Sequence, residues 1–238
     1  MEESAKYIGN ELELFSNAVN WKAYFSRHFA RYINGDVLEA GAGIGETTAH
    51  LMRGPDTIRS WTCLEPDQGL AEEIFRKKTS GLLPDTCKVI IATTEELTPA
   101  PSFDSILYID VIEHIKDDKS ELERAAALLK PNGYLNILVP AHQFLFSPFD
   151  AAIGHYRRYD KKRLKEAVPA TMKNIQLKYL DTAGVMTSLA NKILLRKSHP
   201  TIGQVKFWDN LIIPVSRLAD PLFGFKVGKT LIGTWQKT

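Results

Sequence analysis

The chain is poor in cysteine, with only Cys63 and Cys87 in 238 residues. Both sit in apolar, strand-like stretches and show neither metal nor redox spacing. That excludes a disulfide framework and points to reduced core residues in a cytoplasmic protein. The chain also lacks an excess of either charge: 30 Lys and Arg against 28 Asp and Glu leave a formal +2. Such a balance excludes a protein that coats nucleic acid and leaves room only for a local basic patch. No apolar run approaches the roughly 20 residues of a membrane span, and the stretch 106–112 is interrupted by Asp110. The opening MEESAKY has no basic-then-apolar signal layout. There is no internal repeat and no low-complexity segment. A hydrophobic content of 44% is enough for a globular core. At roughly 100–200 residues per domain, the length is read as one domain over 1–238.

Apolar periodicity orders the chain. Residues 11–33 read as a helix, with Leu14, Phe15, Ala18, Val19, Tyr24, Phe25, Phe29 and Ile33 at mixed three-to-four spacing, stopped by Asn34-Gly35. Strands are expected at 36–40, 61–64, 88–92, 103–110 and 134–139. Helices are expected at 46–52 (ended by Gly54-Pro55), 70–78 and 120–129, the last stopped by Pro131-Asn132-Gly133. Strands alternating with helices imply an α/β fold, a doubly wound, Rossmann-like, mostly parallel sheet covered on both faces. Further strands are expected at 175–180 and 229–235, around apolar helices at 185–195 and 205–218, the second bent or broken at Pro214. The aromatic-rich connection 141–160 follows the C-terminal end of a strand, where open α/β sheets bind ligands.

The sharpest chemical signal is Val37-Leu38-Glu39-Ala40-Gly41-Ala42-Gly43-Ile44-Gly45-Glu46. A strand feeding a glycine turn and then a helix lets backbone approach a ligand closely. The dinucleotide fingerprint needs Gly or Ala where Glu46 stands, so a nicotinamide-dependent oxidoreductase is disfavoured. Glu39 would repel a pyrophosphate but suits the cationic amino-acid end of S-adenosylmethionine (SAM). The alternative is a bare turn with no ligand. Glu65 ends the next strand about 20 residues on, the offset at which an acid reaches ribose hydroxyls.

Glu39-Ala40-Gly41-Ala42-Gly43-Ile44-Gly45, Glu65-Pro66-Asp67, Asp110-Val111-Ile112-Glu113-His114-Ile115 and Leu129-Lys130-Pro131-Asn132-Gly133-Tyr134 resemble successive motifs of class I SAM-dependent methyltransferases. The resemblance spans about residues 30–140 and is nearest the branch that includes quinone-biosynthesis and other small-molecule methyltransferases. It implies seven strands with the last antiparallel, SAM as cofactor and S-adenosylhomocysteine as product. It further implies that Glu39 and the 41–45 turn (Gly41, Ala42, Gly43, Gly45) hold the methionine moiety. Glu65 would take the ribose, with Pro66 and Asp67 beside the adenine. Asp110 and Val111 would flank the sulfonium. Thr93-Thr94-Glu95 stands where the family often has an Asp for the adenine amino group; Thr93 replaces it, leaving backbone groups or the Thr hydroxyl for that contact.

On the acceptor side the residues carry less. Glu113-His114 invites an acid/base reading, yet the pair recurs in the family at this place, and packing or backbone bonding accounts for it too. His142 and His155 are the candidate bases, since histidine titrates nearest neutral pH. Trp21, Tyr24, His114, Phe146, Tyr156, Arg157 and Tyr159 are the candidate acceptor contacts, within an aromatic set that includes Phe15, Phe144, Phe149, Phe207 and Trp208. Their density favours an apolar or aromatic small-molecule acceptor. A helical cap over 1–34, a lid over 141–160 and an apolar helical insertion over 182–220 would close the pocket. The basic run from Arg157 to Lys165 crowds the positive end of a helix capped by Asp160, and implies a solvated face, an acidic neighbour in the fold, an anionic substrate or a membrane surface. No metal ligand set and no nucleic-acid partner are read. The rival functions are a methyltransferase of quinone or lipid-linked acceptors at a membrane, and a non-catalytic SAM-binding protein.

Overall fold

The computed structural model describes residues 11–53, 57–190 and 200–238. Seven strands form one sheet: β1 (Gly35–Ala40), β2 (Ile58–Leu64), β3 (Cys87–Ile90), β4 (Phe103–Ile109), β5 (Leu129–Pro140), β6 (Met172–Leu180) and β7 (Thr230–Lys237). Their order is β3-β2-β1-β4-β5-β7-β6. The pairs β1–β2, β2–β3, β1–β4 and β4–β5 are parallel, while β7 inserts antiparallel between β5 and β6. This is the Rossmann-like sheet that the alternating pattern predicts, and its single reversed strand is the one the family resemblance implies.

Both faces of the sheet are buried, and the period-two side-chain alternation assigns neighbouring residues to opposite faces. Leu38, Ile106, Tyr108, Leu135 and Ile137 pack into one apolar cluster; Val37, Trp61, Cys63, Leu107 and Leu138 pack into the other. Cys63 and Cys87 are free, buried and 3.7 Å apart at sulfur. The strand order reverses between β1 and β4, which opens a crevice at their C-terminal ends.

The helix expected over 11–33 is broken at Asn17-Ala18 into α1 (Glu11–Ser16) and α2 (Val19–Phe29). Lys22 reaches back with Nζ to the Ser16 carbonyl at 2.6 Å, satisfying a carbonyl that α1 leaves open. Ala18 cannot cap α2 with a side chain. Asp209 does so from a distant part of the chain, accepting Asn20 N–H at 3.1 Å and Trp21 N–H at 2.8 Å. Next come α3 (Glu46–Leu51), α4 (Gln68–Thr79, capped by Asp67) and α5 (Asp118–Leu128, capped by Asp117). The Gly54-Pro55 stop lies outside the described residues. Strand β5 begins at Leu129, earlier than the expected Tyr134, because Leu129 pairs with Phe103 ahead of an irregularity in the register.

Residues 141–160 contain α6 (Pro148–Ala152), and Asp160 caps α7 (Lys161–Ala167) through a 2.8 Å bond from Arg163 N–H. Beyond β6, α8 (Thr182–Ala190) starts earlier than expected; residues 191–195 of that expected helix are outside the described residues. Pro214 does not break the last helical stretch. Ahead of it α9 (Ile202–Phe207) passes through a π turn (Trp208–Ile212) into α10 (Ile213–Leu222). A widened turn tolerates the missing proline N–H, so helical backbone runs from one segment into the next.

Buried carboxylates fasten this C-terminal layer. Asp220 accepts Asp181 N–H and Thr182 N–H, both at 2.8 Å, and the Tyr24 hydroxyl at 2.7 Å. Asp181 accepts Gly184 N–H at 2.9 Å, the Ser216 hydroxyl at 2.6 Å and the Trp208 indole N–H at 2.8 Å.

Candidate active site

A cavity of about 1330 Å³ fills the crevice at the C-terminal ends of β1, β2 and β4 and continues under α1, α2, α9 and the 141–160 connection. Pockets that hold one drug-sized molecule measure roughly 300–1,000 Å³, so this one has room for two.

The turn after β1 makes one wall. Gly41 and Ala42 donate their N–H groups to the Leu64 carbonyl at 2.8 and 3.2 Å, tying the turn to the end of β2. Gly41 and Gly43 have φ of +67° and +57°, a region that favours glycine. A Cβ at Gly41 would lie 2.7 Å from Val111 Cγ2, so the backbone passes where no side chain fits. Gly45, at φ +76°, caps α3 and packs against Ile74; it does not line the cavity.

Two acids converge on this turn. Glu39, 2% exposed, accepts the Thr48 hydroxyl at 2.6 Å and the Trp61 indole N–H at 2.9 Å. Burial pushes its carboxyl up to about 7, against those two bonds. Glu65 clamps the turn to the next strand: one oxygen accepts Gly43 N–H at 2.7 Å, the other Asp67 N–H at 3.0 Å. Its carboxyl is also raised by burial. Each Glu65 oxygen keeps a second lone pair for a hydroxyl donor.

Ala92, Thr93, Thr94 and Glu95 form the opposite wall with Glu121 and Arg124. Thr93 spends its hydroxyl on Glu96 at 3.0 Å, within a capping box. Glu121 joins the Thr94 hydroxyl, the Tyr108 hydroxyl (both 2.7 Å) and the Arg124 guanidinium (2.9 Å).

At the deep end lie Asp110, Glu113, His114, Asp150, His155, Arg158 and Lys229. Asp110 stands at φ +54° just past β4, open to the cavity yet deep in the fold. That depth raises its carboxyl, against the pull of Lys229 and Arg158. Glu113 is fully buried and raised by the same cause. Asp150 is held well below the usual carboxylate range, as bonds from His155, Arg158 and Ser147 outweigh its burial. Lys229 Nζ sits 3.5 Å from Asp181 and 4.1 Å above the Trp208 ring, and burial lowers its pKa.

A family model described as a methyltransferase domain matches residues 38–135, the stretch that carries the glycine turn, Glu65, Thr93 to Glu95, Asp110 and Glu113. The ubiquinone biosynthesis O-methyltransferase of Bradyrhizobium diazoefficiens is 33% identical over 102 residues, which are 42% of this chain and 37% of that protein. Residues 38–135 thus carry a methyltransferase domain.

The chain spans less than half the length of the curated relatives it matches. Among solved structures it shares its fold with the 1,6-didemethyltoxoflavin-N1-methyltransferase of Burkholderia thailandensis, solved with S-adenosylhomocysteine, at a TM-score of 0.58 and 18% identity over 97% of this chain and 82% of that one. The [4+2]-cyclase SpnF is equally close in fold, with a TM-score of 0.62 and 15% identity over 97% of this chain and 95% of that one.

Of the cofactor residues expected from the sequence, Glu39, Gly41, Ala42, Gly43, Glu65, Pro66, Asp67, Thr93, Thr94, Glu95, Asp110 and Val111 all line the cavity; Gly45 does not. On the acceptor side Trp21, His114, His155 and Tyr156 line it, with Phe15, Phe149, Phe207 and Trp208. Tyr24, Phe146, Arg157, Tyr159 and His142 stand outside it. Tyr24 is spent on Asp220, and His142 stacks on Tyr179 with ring centroids 4.7 Å apart. Tyr159 donates to Asp118 at 2.7 Å, while Arg157 binds Asp118 at 2.9 Å and the Ile115 and Lys116 carbonyls. Arg157 and Arg158 thus find acidic neighbours, Asp118 and Asp150, within the fold. Lys229, Glu121, Arg124 and Asp150 escaped the sequence reading. Only the apolar strand beginning at Lys229 was visible there, and nothing local marks its amine as facing a cavity.

Proposed function

We propose that this chain transfers the methyl group of SAM to a small-molecule acceptor bound in the same cavity, by in-line displacement. The observation that carries the proposal is the continuity of one cavity from the glycine turn and Glu65, past Asp110 and Val111, to the aromatic wall of Phe15, Trp21, Phe149, Tyr156, Phe207 and Trp208. SAM, when bound, supplies a methyl already activated on a sulfonium. The protein's part is to orient the nucleophile and exclude water.

The residues at the glycine end fit that cofactor. The close approach at Gly41 and Gly43 offers backbone to the methionine moiety, and Glu39 offers a carboxylate to its ammonium. Glu65 holds lone pairs for ribose hydroxyls. Thr93 hydroxyl is engaged with Glu96, so backbone groups around 93–95 remain for the adenine. Asp110 and Val111 separate this end from the acceptor end, where His155 is the candidate group for handling an acceptor proton.

The aromatic wall supports an apolar or aromatic acceptor. One observation favours a quinone or lipid-linked acceptor met at a membrane surface. Ile202, Phe207, Leu211, Val215, Leu218 and Leu222 are exposed along α9, the π turn and α10, with Leu222 at 86%, and Phe207 also lines the cavity. Among the described residues no helix is long and apolar enough to cross a membrane, so such contact would be peripheral. The test is turnover of radiolabelled SAM with phenols, indoles and quinols. His155→Ala should lower turnover at least tenfold with S-adenosylhomocysteine affinity unchanged. Binding without turnover on any acceptor class would favour a non-catalytic SAM-binding protein.

A further inference from the structure

We infer that Lys229 binds the acceptor through its reacting oxygen and holds that oxygen as the anion. Its part in methyl transfer rests on the function proposed above; its capacity to stabilise a bound oxyanion does not.

The reversed strand puts the lysine where it is. Parallel strands present their last residues to the crevice, and β7, running the other way, presents its first. Asp110 N–H bonds the Leu138 carbonyl at 2.9 Å, Pro140 pairs with Thr230, and Lys229 lies one residue before that pair. The ends of β4, β5 and β7 are thus level at the cavity, which Asp110, Pro140, Lys229 and Thr230 all line. The lysine backbone is held on both sides. Its N–H donates to the Asp181 carbonyl at 3.2 Å, and its carbonyl accepts Ala141 N–H at 2.8 Å. The chain enters β7 so close to β6 that a Cβ at Gly228 would lie 2.2 Å from the Leu180 carbonyl oxygen. These contacts root the side chain at one place on the cavity wall.

The ammonium is incompletely paired. Among the described residues Asp181 is its only ion-pair partner, at 3.5 Å. The oxygen concerned, Oδ2, already accepts the Trp208 indole N–H at 2.8 Å, and Oδ1 accepts Gly184 N–H and the Ser216 hydroxyl. Charge-assisted N–H···O bonds ordinarily close to about 2.7–2.9 Å. Three ammonium protons therefore share one distant oxygen and the face of the Trp208 ring, whose centroid is 4.1 Å away. The lysine side chain is 23% exposed and that of Asp181 0%, so the accessible member of the pair is the cation. The other charges at this end do not oppose an anion. Arg158 adds positive field while its Nε and Nη2 bind Asp150. Burial raises Asp110 to about 7 and Glu113 well above its usual range, which draws both carboxyls toward the neutral form. Burial also lowers His114 to about 4, so it stays uncharged at neutral pH.

The wall beside the lysine is aromatic, since Trp208 packs on Phe15 and Trp21 with ring centroids 5.8 and 5.6 Å away. A ring lying there can present its hydroxyl to Nζ. An opposite charge in contact lowers the pKa of an acid by about 1–3. A phenol, near 10 like tyrosine, is brought within reach of neutral pH. A hydroxyl near the roughly 15.7 of water is not. Lys229 thus selects an acidic hydroxyl over an aliphatic alcohol. The proton passes to His155 Nε2, the ring nitrogen left open by the 3.0 Å bond of Nδ1 to Asp150. The oxygen then forms the new O–CH₃ bond as the S–CH₃ bond breaks, and the electron pair of that bond stays on sulfur in a neutral thioether.

The test uses 4-nitrophenol, whose anion absorbs visible light, titrated with pH on the full chain with and without S-adenosylhomocysteine. The bound probe should ionise about 1–3 pH units below the free one. Lys229→Met should abolish that depression and weaken binding of the anion at least tenfold, with S-adenosylhomocysteine affinity unchanged. Lys229→Arg, which keeps the charge, should keep the depression. Protein that binds S-adenosylhomocysteine but not the probe, or leaves the probe ionising at its free value, overturns this inference alone. So does a depression that survives in Lys229→Met. A depressed probe on protein that ignores S-adenosylhomocysteine keeps the oxyanion site and removes the methyl-transfer reading.

Discussion

At the scale of single residues, Glu65 joins three parts of the proposed cofactor site: the glycine turn, the end of β2 and the cavity. Glu65→Ala should weaken S-adenosylhomocysteine binding by about 1–3 kcal/mol, the range for losing charge-assisted hydrogen bonds. Calorimetry measures this directly, and unchanged affinity would mean that the ribose contact is misassigned. Glu39 makes a different prediction. Its carboxyl is raised to about 7 by burial, so between the unfolded value and pH 7 the native state holds a proton the unfolded chain has released. Its contribution to stability is therefore intact below about pH 4 and is lost as pH rises toward 7, by roughly 3 kcal/mol. Glu39→Gln keeps an acceptor for Thr48 and Trp61 but cannot titrate. Urea denaturation at pH 5 and pH 7 should show a smaller drop for the variant than for the parent; equal drops would refute the assignment. Residues of this kind were legible because strand, glycine turn, helix and acid fall in chain order. His142, Tyr24, Arg157 and Tyr159 were misread because an aromatic or basic side chain on a lid segment has the same local signature whether it faces the cavity or the core.

At the scale of elements, the long-range carboxylate caps decide where the C-terminal layer sits. Asp220 satisfies two backbone N–H groups at the start of α8 and the hydroxyl of Tyr24 on α2. Asp220→Ala would leave all three donors without their partner, and should cost about 2–4 kcal/mol, read as a lower urea midpoint with an unchanged slope. No shift in midpoint would show that these bonds do not hold the layer. None of this could be seen in the sequence. Asp209 caps α2 across 188 residues, and the helix start offers only Ala18, which cannot cap. The break at Asn17-Ala18 was hidden for the same reason, since apolar spacing continues through it while the backbone does not. Strand positions fared better, because a buried strand writes its own apolar run.

At the scale of the whole molecule, the doubly wound sheet fixes where chemistry can occur but not which chemistry. The strand order reverses between β1 and β4, and the cavity opens there. The fold is shared with the [4+2]-cyclase SpnF as closely as with a methyltransferase, so the sheet alone does not select an activity. In the proposed function the site does that, through the acid before the glycine turn, Glu46 where a dinucleotide would need a small residue, and the second acid at Glu65. The measurement that tests this most directly is calorimetric titration of the purified chain with S-adenosylhomocysteine, with NADH as the parallel ligand. The account predicts micromolar binding of S-adenosylhomocysteine alone; binding of NADH instead, or of neither, would contradict it.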